Sequence, residues 1–353
     1  MATDSDSPLV IGVLYPPGFD ANAFVRRFGD AARPIEVRVG SYQDDEEIRI
    51  MKRRGDDADQ IRKAQPEVTD KTLAALSEAE VLLALDVPID VVELSPGLKW
   101  IQACGAGVRQ FNEKALWQRG ITLTTAAGVG ADPIAEFVIG RLLEALKNFR
   151  AFNDLQQRRV WERVTGGAML AGKTMGILGL GAIGQAVAWR AKGLGMHVVA
   201  TRRRFEPGMS APDTDALFGP EGRDHILEAS DALVLAVPET PETLNFIGER
   251  ELGLMKPSAV LCNVARGSVL DEDALVTALK AGTIAAAILD VQRQEPLPSD
   301  SPLWDAPNIY LSPRSATAAE GYFDRVLDVF TRNLLLYMKG ERLTNLVDPE
   351  AGY

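Results

Sequence analysis

Short apolar runs alternate with segments of helical period along most of this chain. Leu9–Tyr15, Val81–Leu85 and Trp100–Ala103 are apolar runs of strand length. The first ends in Pro16, Pro17 and Gly18, a turn signal. Between the other two, Ile89 to Leu98 reads as a short helix and a turn around Pro96 and Gly97. Strand and helix alternate over the first ~125 residues, which implies a parallel sheet. The stretch from Asp44 to Asp70 is dense in mixed charge and reads as a solvated helix or a surface insertion.

A long helix is expected over Pro133–Phe149, where Ile134, Phe137, Val138, Leu142, Ala145 and Leu146 recur at helical spacing, continuing past Arg150. A second α/β series follows. Its strands are Thr174–Leu178, His197–Thr201, Ala232–Val237, Ser258–Asn263, Ala285–Asp290 and Ile309–Leu311. Ala182–Leu194 is a helix, and so is Glu272–Ala281, capped by Asp271 and closed by Gly282. A last helix, from about Ala319 to Lys339, places Phe323, Leu327, Phe330, Leu334 and Tyr337 on one face, with Gly340 as its stop.

Composition narrows the classes. The 353 residues are 46% hydrophobic and 25% charged, ordinary for a globular protein of about two domains. A net charge of −11 argues against nucleic acid or an anionic membrane as partner, but leaves room for a small carboxylate in a local basic pocket. The two cysteines, Cys104 and Cys262, form no disulfide framework and fit a reducing cytoplasm. The polar, acidic start reads as no secretory signal, and no apolar run reaches the ~20 residues of a membrane span.

Gly179, Gly181 and Gly184, with Ala182 and Ile183 between them, follow an apolar strand and open a helix. In that context the glycines are a dinucleotide fingerprint: a tight turn, a bare backbone against the pyrophosphate, and close packing of helix on strand. The next strand ends in Thr201 followed by Arg202, Arg203 and Arg204, with Arg202 lying 18 residues after Gly184. A carboxylate at that place would take the ribose hydroxyls of NAD. Arginines match a 2′-phosphate in charge and geometry, so the cofactor expected is NADP rather than NAD. Arg266 stands at the carboxyl end of a buried strand, where α/β sheets bind ligands, and suits a substrate carboxylate. The turn Gly105-Ala106-Gly107-Val108 follows another strand, and its N–H groups offer a weaker carboxylate nest.

Taken together these segments resemble the D-isomer-specific 2-hydroxyacid dehydrogenase family. The resemblance rests on Leu98 to Gln102 with Gly105–Val108, Ile134 to Glu136, Gly179 to Gly184, and Ala236, Val237 and Pro238 through Thr243. It extends through Met255 to Pro257, Asn263, Val264, Ala265, Arg266 and Gly267, Leu289 to Val291 with Glu295 to Pro298, and Ser301 to Trp304. It implies an α/β fold of two Rossmann or flavodoxin-like domains with doubly wound parallel sheets. The substrate domain would comprise 1–128 and 318–353, with a Rossmann domain of 129–317 inserted. It further implies a homodimer with the Pro133–Trp161 region at its contact. Cofactor contacts are implied at Val237, Pro238, Thr243, Val264 and Ala265, and Arg266 is implied as the substrate arginine. Glu295 would be the orienter of a catalytic histidine, Asp290 would face the nicotinamide amide, and Gly105–Val108 would be the carboxylate loop.

The sequence departs from the pattern where the histidine belongs. Ser312 and Pro313 are followed by Arg314, and the only histidines, His197 and His225, fall in a strand and a helix elsewhere. Arginine offers donors only and stays charged, whereas histidine can shuttle a proton. Arg314 is expected to pair with Glu295. Three readings follow. The first is an NADP-dependent reductase of a 2-oxo acid or related carbonyl, taking its proton from water or from Tyr15 or Cys104. The second is altered chemistry, or an unusual anionic substrate held by Arg314. The third is an NADP(H)-sensing or interaction protein without catalysis.

Overall fold

The computed structural model describes residues 7–16, 18–28, 33–108, 110–111 and 113–349. They divide into two compact units. One comprises the described residues up to Val129 together with those from Gly321 onward. The other is Gly130–Glu320.

The first unit runs β1 (Leu9–Val13), α1 (Ala21–Val25), β2 (Ile35–Val39), α2 (Glu46–Arg54), α3 (Ala58–Ala64), α4 (Asp70–Ser77), β3 (Val81–Ala84), α5 (Val91–Leu94), β4 (Trp100–Ala103), α6 (Glu113–Gln118) and β5 (Thr122–Thr124). The strands form a parallel sheet in the order β2-β1-β3-β4-β5. β3 and β4 are buried along their whole length, which is why they read as unbroken apolar runs rather than as alternations.

The charge-dense stretch is helical and mostly exposed, as expected, but departs from that expectation in part. It folds into α2 and α3, and part of it is interior. Asp44 and Lys52 are buried as an ion pair, the Tyr42 hydroxyl donates to Asp44, and Lys52 also donates to the carbonyl of Val87. Arg49 grips the buried Asp86 with two nitrogens, at 3.0 and 2.6 Å. A buried charge persists only when paired and hydrogen-bonded, and these four are.

The second unit contains α7 (Ala131–Leu146), α8 (Phe149–Gln157), β6 (Thr174–Leu178), α9 (Ala182–Gly193), β7 (His197–Thr201), β8 (Ala216–Phe218), α10 (Arg223–Ala229), β9 (Ala232–Leu235), α11 (Glu249–Leu254), β10 (Val260–Asn263), α12 (Glu272–Ala281), β11 (Ala286–Leu289) and β12 (Ile309–Leu311). Its seven parallel strands lie in the order β12-β11-β10-β9-β6-β7-β8, so the order reverses between β6 and β9. Alternate strand residues enter two cores. Ile177, Val234, Cys262 and Ile288 pack under α7 and α9, and Leu233, Leu235, Leu261 and Leu289 under α11 and α12. Both faces are therefore covered, the doubly wound arrangement that an all-parallel sheet requires. The long helix expected past Arg150 is two helices. Asn148 takes a left-handed conformation (φ 59°) and breaks the run between α7 and α8.

The last helix, α13 (Tyr322–Met338), belongs to the first unit. Its Phe330 and Tyr337 rings flank the buried Trp100, each 5.4 Å away, and its Asn333 donates to Gln102 of β4.

Candidate functional site

The glycine loop lies at the carboxyl end of β6, at the point where the strand order reverses. Gly179 sits at φ 101°, and a Cβ there would stand 2.6 Å from the carbonyl of Ala236. A Cβ on Gly184 would meet the carbonyl of Gly179 at 2.4 Å, whereas one on Gly181 would enter open space. The loop is thus packed on its inner side and bare on its outer side. Thr201 anchors it: the Thr201 hydroxyl accepts from the N–H of Gly179 at 3.3 Å, and its carbonyl accepts from that of Leu180 at 2.8 Å. α9 opens at Gly181 with no side chain capping its first turn, and Ala182 and Ile183 begin it. Uncapped N–H groups and the positive end of a twelve-residue helix make an anion cradle there. Arg202, Arg203 and Arg204 are exposed beside it, at the carboxyl end of β7. These features fit a dinucleotide. On the other side of the loop, after β9, Val237 is half-buried and Pro238 exposed. Thr243 fixes that turn, its hydroxyl donating to the carbonyl of Pro238 at 2.7 Å and accepting from the N–H of Thr240.

Three further segments reach the same edge of this sheet. After β10, Asn263 shapes the turn through Val264 and Ala265, both buried: its side-chain oxygen takes the N–H of Ala265, and its amide donates to the carbonyl of Arg266. Arg266 emerges half-exposed from that turn, with one nitrogen on the carbonyl of Ala265 at 2.7 Å. After β11 comes Asp290, 5% exposed, and then Glu295. After β12 comes Arg314, whose Nη1 lies 2.7 Å from Glu295 Oε2.

Arg314 occupies the left-handed region (φ 53°), which costs a long side chain ~1–2 kcal/mol. The turn is held there by Asp290. Its carbonyl accepts from the N–H of Arg314, and its carboxylate accepts from the Ser312 hydroxyl at 2.7 Å and from the N–H groups of Ser315 and Ala316. Burial raises the Asp290 carboxyl above its ordinary range, against the pull of those donors. Asp290, the residue expected to face the nicotinamide amide, also holds the turn that carries Arg314.

In the other unit, Tyr15 follows β1 and meets Phe323 edge-on, and Gly105, Ala106, Gly107 and Val108 follow β4 at the same edge of their own sheet. Gln110 ties that loop, donating to the carbonyls of Leu85 and Gly107. Cys104, considered as a proton source, is corrected: it is 2% exposed, and burial pushes its thiol well up. His197 is exposed at the amino end of β7, the edge opposite the glycine loop, and His225 packs edge-on against Phe218 beside the last strand of the sheet. Sequence reasoning missed Gln292, a buried polar side chain within this cluster.

A doubly wound parallel sheet with a glycine cradle at its switch point defines a dinucleotide-binding α/β protein. The profile of the D-isomer specific 2-hydroxyacid dehydrogenase NAD binding domain matches residues 139–316. A glyoxylate reductase of Korarchaeum cryptofilum is 35% identical over 276 residues, 76% of this chain and 82% of that one. Glyoxylate/hydroxypyruvate reductase B of Yersinia pestis is 35% identical over 295 residues, 81% of this chain and 88% of that one. A D-isomer specific 2-hydroxyacid dehydrogenase from Xanthobacter autotrophicus Py2, solved with NADPH and MES, superposes with a TM-score of 0.75 at 25% identity, covering 98% of this chain and 100% of that one. A family protein from Aeromonas salmonicida gives 0.74 at 28% identity, covering 97% and 100%. The chain belongs to the D-isomer specific 2-hydroxyacid dehydrogenase family and is an oxidoreductase.

Proposed function

We propose that this protein is an NADP-dependent reductase of 2-oxo acids or related carbonyl compounds that works without a histidine acid–base. The observation that carries the reading is the Arg314–Glu295 pair, set at the same sheet edge as Arg266 and the glycine cradle. NADPH, when bound, supplies the hydride. Gly179–Gly184 hold its pyrophosphate, Arg202 and Arg203 take the 2′-phosphate, and Val237, Pro238, Thr243, Val264 and Ala265 line its seat. Arg266 clamps the substrate carboxylate. Arg314 stabilises the negative charge that grows on the carbonyl oxygen. It keeps its own proton, so water supplies the one that completes the alcohol. The relatives named for glyoxylate and hydroxypyruvate support the substrate class, and the NADPH complex supports the cofactor.

A second reading has its own observation. Arg314 is 44% exposed, and its hydrogen bond to Glu295 uses Nη1. Its other donors suit an additional anionic group on the substrate.

Fluorescence titration with NADPH and NADH, followed by turnover on a panel of 2-oxo acids, tests both readings. NADPH binding at least tenfold tighter than NADH is expected, and a preference for NADH overturns the arginine assignment. Glyoxylate or pyruvate as best substrate supports the first reading, and a 2-oxo dicarboxylate supports the second. Tight NADPH binding with no turnover of any carbonyl points to a sensor instead.

We also propose a cytoplasmic homodimer. Its two cysteines are free and buried, as a reducing compartment allows, and Phe149, Phe152, Trp161 and Met169 stand exposed around α8.

A further inference from the structure

Gln292 lies where the segments carrying Arg266, Glu295 and Arg314 meet. It is 6% exposed. Its backbone packs against the turn after Arg266 so closely that a Cβ on Gly267 would stand 1.9 Å from the Gln292 carbonyl carbon. Its N–H donates to Glu295 Oε1 at 3.1 Å. Its side-chain Nε2 donates to two carbonyls, each at 3.3 Å: that of Leu289, the last residue of β11, and that of Ser312, two residues before Arg314.

The Arg314 turn is thus held from both sides. Asp290 takes the N–H groups after Arg314, and Gln292 takes the carbonyl before it. A left-handed arginine persists only where its surroundings over-determine it. An apolar side chain at 292 would fill the same space and leave the carbonyl of Ser312 without this donor.

We infer that Gln292 is a positioning residue for the reaction: it fixes the turn that places the Arg314 guanidinium on Glu295, and it locks that pair to the Arg266 turn. The inference rests on the proposed reductase reading.

Gln292→Met tests it, since methionine keeps the length and burial, loses the amide donor, and leaves the backbone bond to Glu295 intact. NADPH affinity and melting temperature are expected to stay near the wild-type values, while kcat on the best 2-oxo acid falls about ten- to a hundredfold. Placed on top of Arg314→Met, the same substitution is expected to have no further effect on kcat, because Gln292 acts through Arg314. An equal fall in both backgrounds overturns the inference, and so does an unchanged kcat. A crystal structure of Gln292→Met judges it without turnover. The Arg314–Glu295 contact is expected to be lost or spread over several positions, and an intact contact at its original place refutes the role. Should the wild type turn over no carbonyl, the reductase reading fails, and the crystals alone decide on Gln292.

Discussion

An arginine in the place of a histidine cannot pass a proton, so the pH dependence of turnover reports on position 314 directly. Wild-type kcat for a 2-oxo acid is expected to show no ionisation near pH ~6.5, the place where a histidine titrates. Arg314→His is expected to introduce that limb. Glu295, which now pairs with the guanidinium at 2.7 Å, would orient the new imidazole, and histidine tolerates the left-handed backbone better than most residues. General acid–base help is worth ~10²–10⁴, so glyoxylate reduction by the variant should rise by about two orders of magnitude at neutral pH. Stopped-time assays of NADPH oxidation over a pH series check both points, and a near-neutral limb already present in the wild type would show that another group moves the proton. The placement of Arg266, Glu295 and Arg314 at one sheet edge was legible as sequence, because each follows a strand marked by an apolar run. Gln292 was not. Its importance comes from burial and from the amide's two carbonyl partners, neither of which has a sequence period. Cys104 erred for the same reason, since a strand end does not reveal that a thiol is covered.

At the scale of elements, the buried strands were legible, the short edge strand β12 among them, and three others were not. β2, β5 and β8 went unrecognised: β2 and β8 are half-exposed edge strands, and β5 is only three residues long. None presents the long apolar run that marked β3, β4 and β6. Nor does a charge-rich stretch reveal which of its charges will pair inside. Glu80 shows what such pairing does for a single element. It stands just before β3, and its carboxylate holds Arg33 at 2.9 Å, the Tyr337 hydroxyl of α13 at 2.7 Å and Lys99 at 3.5 Å. Burial opposes its charge, but the bonds from Arg33 and Tyr337 win and hold the carboxyl below its ordinary value of 4.5. A depressed carboxylate contributes stability that is present above its unfolded value and is lost as pH falls through the folded one. Stability of the wild type should therefore drop as pH falls below about 4.5. Glu80→Gln should cost about 1–2 kcal/mol at neutral pH and flatten that acid limb. Urea melts at several pH values measure this, and parallel curves for the two proteins would rule the tether out. The turn after β10 sets a stricter limit. Gly267→Ala places a methyl inside the Gln292 backbone, so the expected result is loss of turnover with NADPH binding weakened at most modestly.

For the whole molecule, the segment around α8 poses the main question. Isolated apolar side chains on a surface are ordinary, but a cluster of large ones marks an interface. Trp161 is fully exposed, and Met169, Phe149 and Phe152 are 65%, 45% and 44% exposed within the same stretch. No residue of α8 is buried. Yet the helix start is fixed firmly. Arg150 stacks on the Tyr310 ring at 3.5 Å, donates to the carbonyl of Ile309, and pairs with Glu144 of α7 at 3.1 Å. A helix anchored at its start, with large apolar side chains exposed along and after it, fits a second copy of the chain, because a twofold contact covers the same patch on both partners. Light scattering at micromolar concentration should therefore give about twice the 38.2 kDa chain mass. Phe152→Ser combined with Trp161→Ser should shift it to the monomer, since aromatic anchors carry most of the energy of such contacts. Both side chains lie outside the core beneath α7 and α9, so the monomeric variant should keep its fold by circular dichroism. Its melting temperature should lose the dependence on protein concentration that an associating wild type shows. A wild type that scatters as a monomer, or a doubly substituted chain that stays paired, removes this face from consideration as the dimer contact.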